Sequence, residues 1–554
     1  MYMNTDDLIR FAKENGFFYQ SDLIYGGIAG FYNYGSIGTL LKRRYENIWR
    51  EYFGKLFDNI WEIETNDIMH RDVFRASRHL ELFNDPITEC PNGHRFRADK
   101  LIEEKLGIKA ESLTIEKMNE IFSKGEVRCP IDNEKLSNVK LFNLMFPIFV
   151  GPEADLFLYL EDVRKTRKVD NEKLIKSYEN LLKNQMFLRP ETAQGPYVNF
   201  PIEILIQRYR IPLGLFIIGK AYRNEISPRN ALLRMREFTQ AELQIFFDYK
   251  NNSFNIEYEK VKKEKINVLL VKSREKNISY EELSLEEIRN LTGIPEFYLY
   301  FLYKVFYFFV NIVGIPKEKI RFYELSESEK SFYNMYHFDL EIYLDDLGWV
   351  ENGGIHFRAI RLSEEILEKL DEDLRKELID LKGEMVGYDL FNHLVLSKNK
   401  GFILRRNDGS KYIPVELELS FGVDRNIFSI LKTLLVNDGN RLVLKIPKYL
   451  APIQIAVFPL LENKNEHIKI AKEIYERLRK KFKVYYDDSG RIGVRYKRQD
   501  EIGTPFCITV DDQTLIDNTV TVRYRDTKEQ IRIKIDELES FFSKEFLFCY
   551  GSNI

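Results

Sequence analysis

Apolar positions near the start of the chain recur every three to four places: in "IGTLLKRRYENIWREYF", Ile37, Leu41, Ile48 and Tyr52 form one stripe, which predicts an amphipathic helix. The "NIWEIET" that follows has strand texture, and strand-and-turn texture returns from Phe187 to Phe247. In "VELELSFGVDRNIFSILKTLL" the period is two and then changes. Glu416, Glu418 and Ser420 alternate with Val415, Leu417, Leu419 and Phe421, and a glycine turn opens an amphipathic helix with Arg425 at its start. "KIPKYLAP", residues 445–452, reads as a linker. After it strands alternate with helices ("IQIAVFPL", "EHIKIAKEIYERLRKKF", "KVYYDD", a basic segment, "FCITVDD", "TVTVRYRD", "IDELESFF"), which predicts a small α/β domain over 447–554.

Two stretches break the strand texture. Residues 85–185 carry charged helical segments and two Cys-Pro turns and read as an insertion into a larger domain made of 1–84 and 186–445. Residues 250–330 predict a mainly helical segment of that domain, with a capping-box candidate at Ser284 and Glu287. Within it "FYLYFLYKVFYFFVNIV", residues 297–313, is apolar nearly throughout but contains Lys304 and Asn311. A membrane span needs about 20 uncharged residues, so this stretch predicts a buried core helix and no membrane.

Composition adds bounds. A chain of 554 residues suggests about three domains at the usual ~100 to 200 residues each. The net charge of -3 excludes a polybasic surface, so any nucleic-acid contact must use local patches. Four cysteines are too few to staple a secreted protein of this size, and the acidic "MYMNTDDLIRFAKENG" lacks signal-peptide character; both predict a cytoplasmic protein.

Charge concentrates in "YRNEISPRNALLRMREFTQAE", residues 222–242. Strand parity places Arg223 with Glu225, and Arg234, Arg236, Phe238, Gln240 and Glu242 on one face of the returning strand. Arginine forks suit phosphate oxygens and a ring stacks on a base, so the hairpin predicts a nucleotide site without a glycine-rich loop. The competing expectation is a solvated hairpin laced with salt bridges. On the 415–422 strand, acids beside an arginine at a helix start suit an anion together with an ammonium group or Mg²⁺.

These residues resemble class II aminoacyl-tRNA synthetases. Their second motif, R-x-E, a loop, then R-x-x-x-F, is matched by Arg223 to Glu225 and Arg234 to Phe238; the third, G-x-x-R, by Gly422 to Arg425. "GSIGTLLKRRYENIWREYF" is similar to the motif 1 helix of their dimer interface. "LRPETAQGPYVNF", "YRNEISPR", "REFTQAE" and "DDSGRIGVRYKRQDEIGTPFCITVDDQTL" narrow the likeness to the glycyl-tRNA synthetases of the archaeal and eukaryotic dimeric type. The resemblance implies an α+β fold: a class II antiparallel-sheet catalytic domain with insertions, and a C-terminal α/β anticodon-binding domain. It implies ATP as substrate with Mg²⁺, glycine, tRNA(Gly) as partner and a homodimer through motif 1.

Carried over residue by residue, the likeness puts ATP against Arg223, Asn224, Glu225, Leu233, Arg234, Met235, Arg236, Glu237, Phe238, Glu351, Asn352, Gly422, Val423, Asp424 and Arg425, with Arg223 and Arg425 catalytic. It puts glycine against Arg97, Glu191, Phe238, Thr239, Gln240, Ala241, Glu242, Glu418 and Ser420. Several carboxylates around an ammonium leave no room for a β-methyl, whereas one methyl in a roomy pocket changes discrimination by only ~1 to 3 kcal/mol. Arg491, Arg495, Lys497 and Arg498 are expected on the RNA backbone, and Arg229 at the acceptor end or in solvent. Cys90, His94, Cys129 and Asp132 resemble a degraded zinc knuckle, against two buried apolar cysteines. Two departures stand out. The family's "YDL-x-x-H" string, here Asp389 and His393, is separated from Arg358 by a charged insertion over 359–386, and Leu419 stands where the family has proline. Alternatives are a class II synthetase for another small amino acid and an inert synthetase-like RNA-binding protein.

Overall fold

A computed structural model describes residues 3–108, 110, 113–150, 155–228, 230–251, 256–276, 278–331, 333–439 and 441–547. Arg229 lies outside the described residues. The core is a ten-stranded sheet whose order runs Glu281–Ser284, Lys265–Leu269, Ile320–Glu324, Asn334–Leu344, Gly348–Arg361, Val415–Gly422, Glu237–Phe247, Leu213–Tyr222 and Ile60–Glu62. Met385–Gly387 adds a further pairing on Gly348–Arg361. All neighbours are antiparallel except the pairs of Leu213–Tyr222 with Ile60–Glu62 and of Lys265–Leu269 with Ile320–Glu324.

The period-two pattern decides the two faces. Val415, Leu417, Leu419 and Phe421 are fully buried in a core shared with the helices Ser36–Phe53, Glu296–Tyr307 and Val423–Leu434, which leaves Glu416, Glu418 and Ser420 on the opposite face. Phe421 packs its ring 5.0 Å from Phe53, 5.9 Å from Phe309 and 6.0 Å from Trp49. Each fully buried side chain of this size contributes about 1.5 to 3 kcal/mol. The apolar stretch from Glu296 continues as a π-helical turn, Phe308–Val313, and is 72% buried inside this core, with Tyr298 Oη donating to the Ile355 carbonyl across the sheet. Its apolar surface is consumed by the fold. Ser284 and Glu287 do form the capping box at the start of Leu285–Thr292.

Several expectations need correction. Residues 250–330 carry more helix than strand, but they do not stand apart from the sheet: Lys265–Leu269, Glu281–Ser284 and Ile320–Glu324 extend it. Lys265–Leu269 and Ile320–Glu324 are short and follow charged runs, and Glu281–Ser284 is itself half charged, so none is long enough to set a period. "KIPKYLAP" is not a free linker, because Ile446, Leu450 and Ala451 are fully buried in the apolar core of the ten-stranded sheet. The C-terminal sheet has five strands, including Gln530–Lys534, which the alternation reading left out.

Within 85–185 a three-stranded sheet, Arg95–Arg97, Asn84–Glu89 and Lys140–Asn143, has its own small core around Cys90, Phe96 and Cys129. Phe146–Phe149 returns to pair with Gln185–Leu188, which also pairs with Ile68–His70.

Candidate functional site

The polar face of the central strands forms the floor of a pocket of about 210 Å³. At one end stand Arg223, Arg234 and Arg425. Arg223 lies between two rings, its guanidinium carbon 5.4 Å from the centroids of Phe83 and Phe238, and its Nε donates to the Pro190 carbonyl at 3.1 Å. Arg234 donates to Glu225 at 2.7 Å. Arg425 opens the helix Val423–Leu434, donates to the Leu233 carbonyl at 3.0 Å and pairs with Glu351 at 3.1 Å. A helix N-terminus under an arginine favours an anion there.

At the other end the carboxylates gather. One oxygen of Glu242 accepts from Ser420 Oγ and the other from Thr192 Oγ1, both at 2.6 Å. Glu418 accepts through Oε2 from Gln244 at 3.0 Å and from Tyr197 and Arg358 at 3.3 Å, while Oε1 lies 3.6 Å from His356 Nε2. Burial, and then the neighbouring Glu191, pushes the Glu242 carboxyl up. Burial pushes Glu418 up to about 8, Arg358 opposing and Glu242 adding. Burial also penalises charge on Glu191, but His79 at 3.7 Å, the Arg358 charge and a 2.9 Å hydrogen bond from Gln194 outweigh it and hold that group below the usual range. This end therefore has more carboxylate than it can ionise, and a bound cation would relieve it.

Arg358 anchors the acids from behind. It donates to Asp389 at 2.8 Å, and Asp389 sits at the start of the helix Tyr388–Ser397. Glu416 accepts at that helix start from the backbone of Leu390 at 2.9 Å, so it caps the helix and does not reach the pocket. The 359–386 insertion loops out and returns in register, with Ala359 opposite Gly387, which reunites Arg358 with Asp389 and with the Gln194–His393 contact at 3.1 Å.

Most residues singled out from sequence meet here: Glu191, Arg223, Glu225, Leu233, Arg234, Met235, Phe238, Thr239, Gln240, Glu242, Glu351, Asn352, Glu418, Ser420, Gly422, Asp424 and Arg425 all line the pocket. Asp424 is held by Tyr34 and by the Thr239 N–H, and Asn352 by Ser429, so both brace the walls. Others lie elsewhere. Strand parity begins only at Glu237, so Arg236 does not join Arg234 but donates to the carbonyls of Glu225 and Ala29. Asn224, Glu237, Ala241 and Val423 do not line the pocket; Ala241 and Val423 sit wholly in the apolar core. Arg97 faces Asp85 at 3.3 Å and Asp99, and lines a neighbouring cavity of about 190 Å³ with Lys100, Leu233 and Arg234. Lining residues without a signal in the strand pattern are Leu232, Tyr333, Gly353, Gly354, His356 and Arg358. A Cβ on Gly353 would lie 2.6 Å from the Ser420 carbonyl, so only glycine lets those strands close.

The knuckle residues come together: the ligand atoms of Cys90, His94, Cys129 and Asp132 lie within 4.8 Å of one another. Both turns are hydrogen-bonded, Gly93 N–H to the Cys90 carbonyl and Asn133 N–H to the Cys129 carbonyl, each at 2.9 Å and each with a residue in the left-handed region. Two thiols, an imidazole and a carboxylate so spaced are a donor set that suits tetrahedral zinc, and Cys90 and Cys129 are at the same time buried members of the small apolar core.

In the C-terminal domain Arg491, Lys497 and Arg498 are exposed along Ile492–Ile502, Arg498 pairing with Asp487. Arg495 is not: it is 1% exposed and donates to the Gly490 and Pro459 carbonyls, a structural role.

Residues 175–366 match the family model described as tRNA synthetase class II core domain (G, H, P, S and T), and residues 454–545 match that of the anticodon binding domain. A glycine–tRNA ligase of Pyrococcus abyssi is 37% identical over 97% of both chains, one of Pyrococcus furiosus 38% over the same shares, and one of Methanococcus maripaludis 32% over 97% of this chain and 98% of its own. A solved prolyl-tRNA synthetase of Cryptosporidium parvum, complexed with L-proline and AMP, superposes with a TM-score of 0.52 at 13% identity, covering 98% of this chain and 75% of that one, and shows the shared fold. With a class II core built around opposed arginine and carboxylate ends, and such identity over nearly its whole length, the chain belongs to the glycine–tRNA ligase family of class II aminoacyl-tRNA synthetases.

Proposed function

We propose that the chain attaches glycine to tRNA(Gly) at this pocket, using ATP. One observation carries it: a single pocket has arginines at one end and buried carboxylates with raised protonation at the other. A glycine carboxylate oxygen attacks the α-phosphorus, the bond to the bridging oxygen breaks and pyrophosphate leaves. A hydroxyl oxygen of the terminal ribose of the tRNA then attacks the glycyl carbonyl carbon, the bond from that carbon to the phosphate oxygen breaks, AMP leaves, and the hydroxyl proton passes to solvent. The first step needs no general base; alignment and charge stabilisation supply the rate.

In this assignment Arg223 holds the α-phosphate, Glu225 accepts from the adenine amino group, Phe238 stacks on the ring, and Arg234 and Arg425 take the outer phosphates. Glu242 and Glu418 grip the ammonium, with Glu191 and Ser420 completing the wall. Glu351 offers hard oxygen donors for Mg²⁺, and burial together with the charge of Glu351 raises the Asp339 carboxyl beside it, the environment a divalent cation suits. When bound, Mg²⁺ neutralises phosphate charge. Cys90, His94, Cys129 and Asp132 would hold zinc in a structural role.

Residues 1–84 and 186–445 act as the catalytic domain and 447–554 as the anticodon-binding domain, with Arg491, Lys497 and Arg498 toward RNA. Ile60–Glu62, which follows the motif 1 helix, is the last strand of the sheet and its Trp61 is 45% exposed, which supports a homodimer through this region, and the few cysteines of the chain suit a reducing cytoplasm. Amino-acid-dependent ATP–pyrophosphate exchange with glycine, alanine, serine and proline tests the assignment. Exchange with glycine alone is expected; exchange with none sinks the enzyme, and preference for alanine sinks the pocket account.

A further inference from the structure

The strand Asn84–Glu89 and its partner Arg95–Arg97 form a hairpin whose turn is the knuckle: Cys90 follows the first strand and His94 precedes the second. Its other end reaches the adenylation pocket. There Asp85 Oδ2 lies 3.3 Å from Arg97 Nη1 and 3.7 Å from Arg234 Nη2, and Arg97 is clamped by Asp99 through two hydrogen bonds of 2.9 and 2.5 Å. Charges therefore alternate without a break from Asp99 through Arg97, Asp85 and Arg234 to Glu225.

Arg234 stands between two carboxylates. Glu225, at 2.7 Å, draws it inward, and Asp85 draws it outward. A guanidinium bound wholly to Glu225 would occupy the oxygens that face adenine and leave no fork for phosphate. We propose that Asp85, oriented by Arg97, is a positioning residue that holds Arg234 partly off Glu225, and that a zinc ion held by Cys90, His94, Cys129 and Asp132 fixes the hairpin that delivers it. The insertion thereby couples its folded, metal-loaded state to the ATP end of the site. This rests on the assignment of Arg234 to ATP and of the knuckle to zinc. It also gives Arg97, which lines the neighbouring cavity and not the pocket itself, a role through its neighbours.

The test uses the full chain and two readouts. Metal content of the purified protein, by mass spectrometry of the elements, is expected at about one zinc per chain in the wild type, Asp85→Asn and Asp85→Glu, and to be lost in a Cys90→Ser/Cys129→Ser double variant. In glycine-dependent exchange, Asp85→Asn is expected to raise the KM for ATP about fivefold, a typical cost of losing a partly buried charge partner, with the KM for glycine unchanged. Asp85→Glu should recover most of it, and the double variant should show the same shift in the KM for ATP. The proposal is overturned if Asp85→Asn leaves the KM for ATP unchanged or raises both KM values alike, if the wild type holds no zinc, or if the double variant loses zinc without a shift. Absence of glycine-dependent exchange in the wild type would instead overturn the proposed function itself.

Discussion

Glu418 spends one oxygen on Tyr197, Gln244 and Arg358 and keeps the other toward His356, so its charge is set by burial and the neighbouring carboxylates against Arg358. Its carboxyl, pushed up to about 8, lies above the ordinary 4.5, so the folded protein holds a proton that the unfolded chain releases between those values. The stability this contributes is fully present below about pH 4.5 and is lost as pH rises through about 8. An ammonium bound there favours the carboxylate and must expel the proton. Titration calorimetry at pH 7 with glycyl-sulfamoyl-adenosine, in buffers of different ionisation enthalpy, should show proton release in the wild type and little in Glu418→Gln; equal heats in every buffer would contradict this. Arg358 is the second constraint: Arg358→Gln leaves Asp389 and Glu418 without their cation in a buried site and should destabilise the fold by about 3 to 5 kcal/mol, read as a lowered unfolding midpoint. At this scale Arg223, Glu225, Glu242 and Arg425 were legible because each sits in a short motif with its spacing intact. His356 and Tyr333 were not, because nothing local distinguishes a pocket wall from any other polar strand position.

Elements were legible where one period runs long enough. The alternation over 415–422 and the helical stripe over 36–53 each bury the side chains they predict, apart from Ile37, which is only partly covered. Parity failed at Arg236 because the strand begins one residue later, at Glu237, and a turn has no alternation to extrapolate. At the sheet's far edge, Lys265–Leu269 was missed because it is short and follows a charged run, and Glu281–Ser284 because it is short and itself half charged. The tight packing of the central strands has its own consequence: in Gly353→Ala the new Cβ would meet the Ser420 carbonyl at 2.6 Å and Phe421 at 2.8 Å. Neither a carbonyl in the ladder nor a ring fixed by three others can yield, so the strands must part. Exchange assays should show at least about tenfold lower kcat/KM, and thermal unfolding a lower midpoint. Wild-type values for both would mean the strands are less tightly coupled than their spacing indicates.

Across the whole molecule, the catalytic sheet, the insertion and the C-terminal domain meet through buried chain. Arg525 of the C-terminal domain donates to the Ile446 carbonyl and Arg441 pairs with Asp500, so the anticodon-binding domain is fastened to the catalytic body. The exposed edge of Ile60–Glu62 predicts a dimer, and sedimentation equilibrium should give about twice the chain mass of 65.9 kDa, falling toward that mass in Trp61→Glu. The change of texture after residue 445 precedes the stretch, 454–545, that matches the anticodon binding domain. The return of the 359–386 insertion into register was not visible in the sequence, since that pairing joins residues 28 positions apart, Ala359 and Gly387, through a segment that itself gives no strand signal. The central claim, that the arginine and carboxylate ends together load glycine onto RNA, is tested most directly by charging a tRNA(Gly) transcript with labelled glycine in the presence of ATP. The predicted result is glycine esterified to tRNA(Gly) but not to a tRNA(Ala) transcript, abolished in Arg223→Ala and at least about a hundredfold slower in Glu242→Gln. Glycine left uncharged by the wild type, or charging that survives both variants, would contradict it.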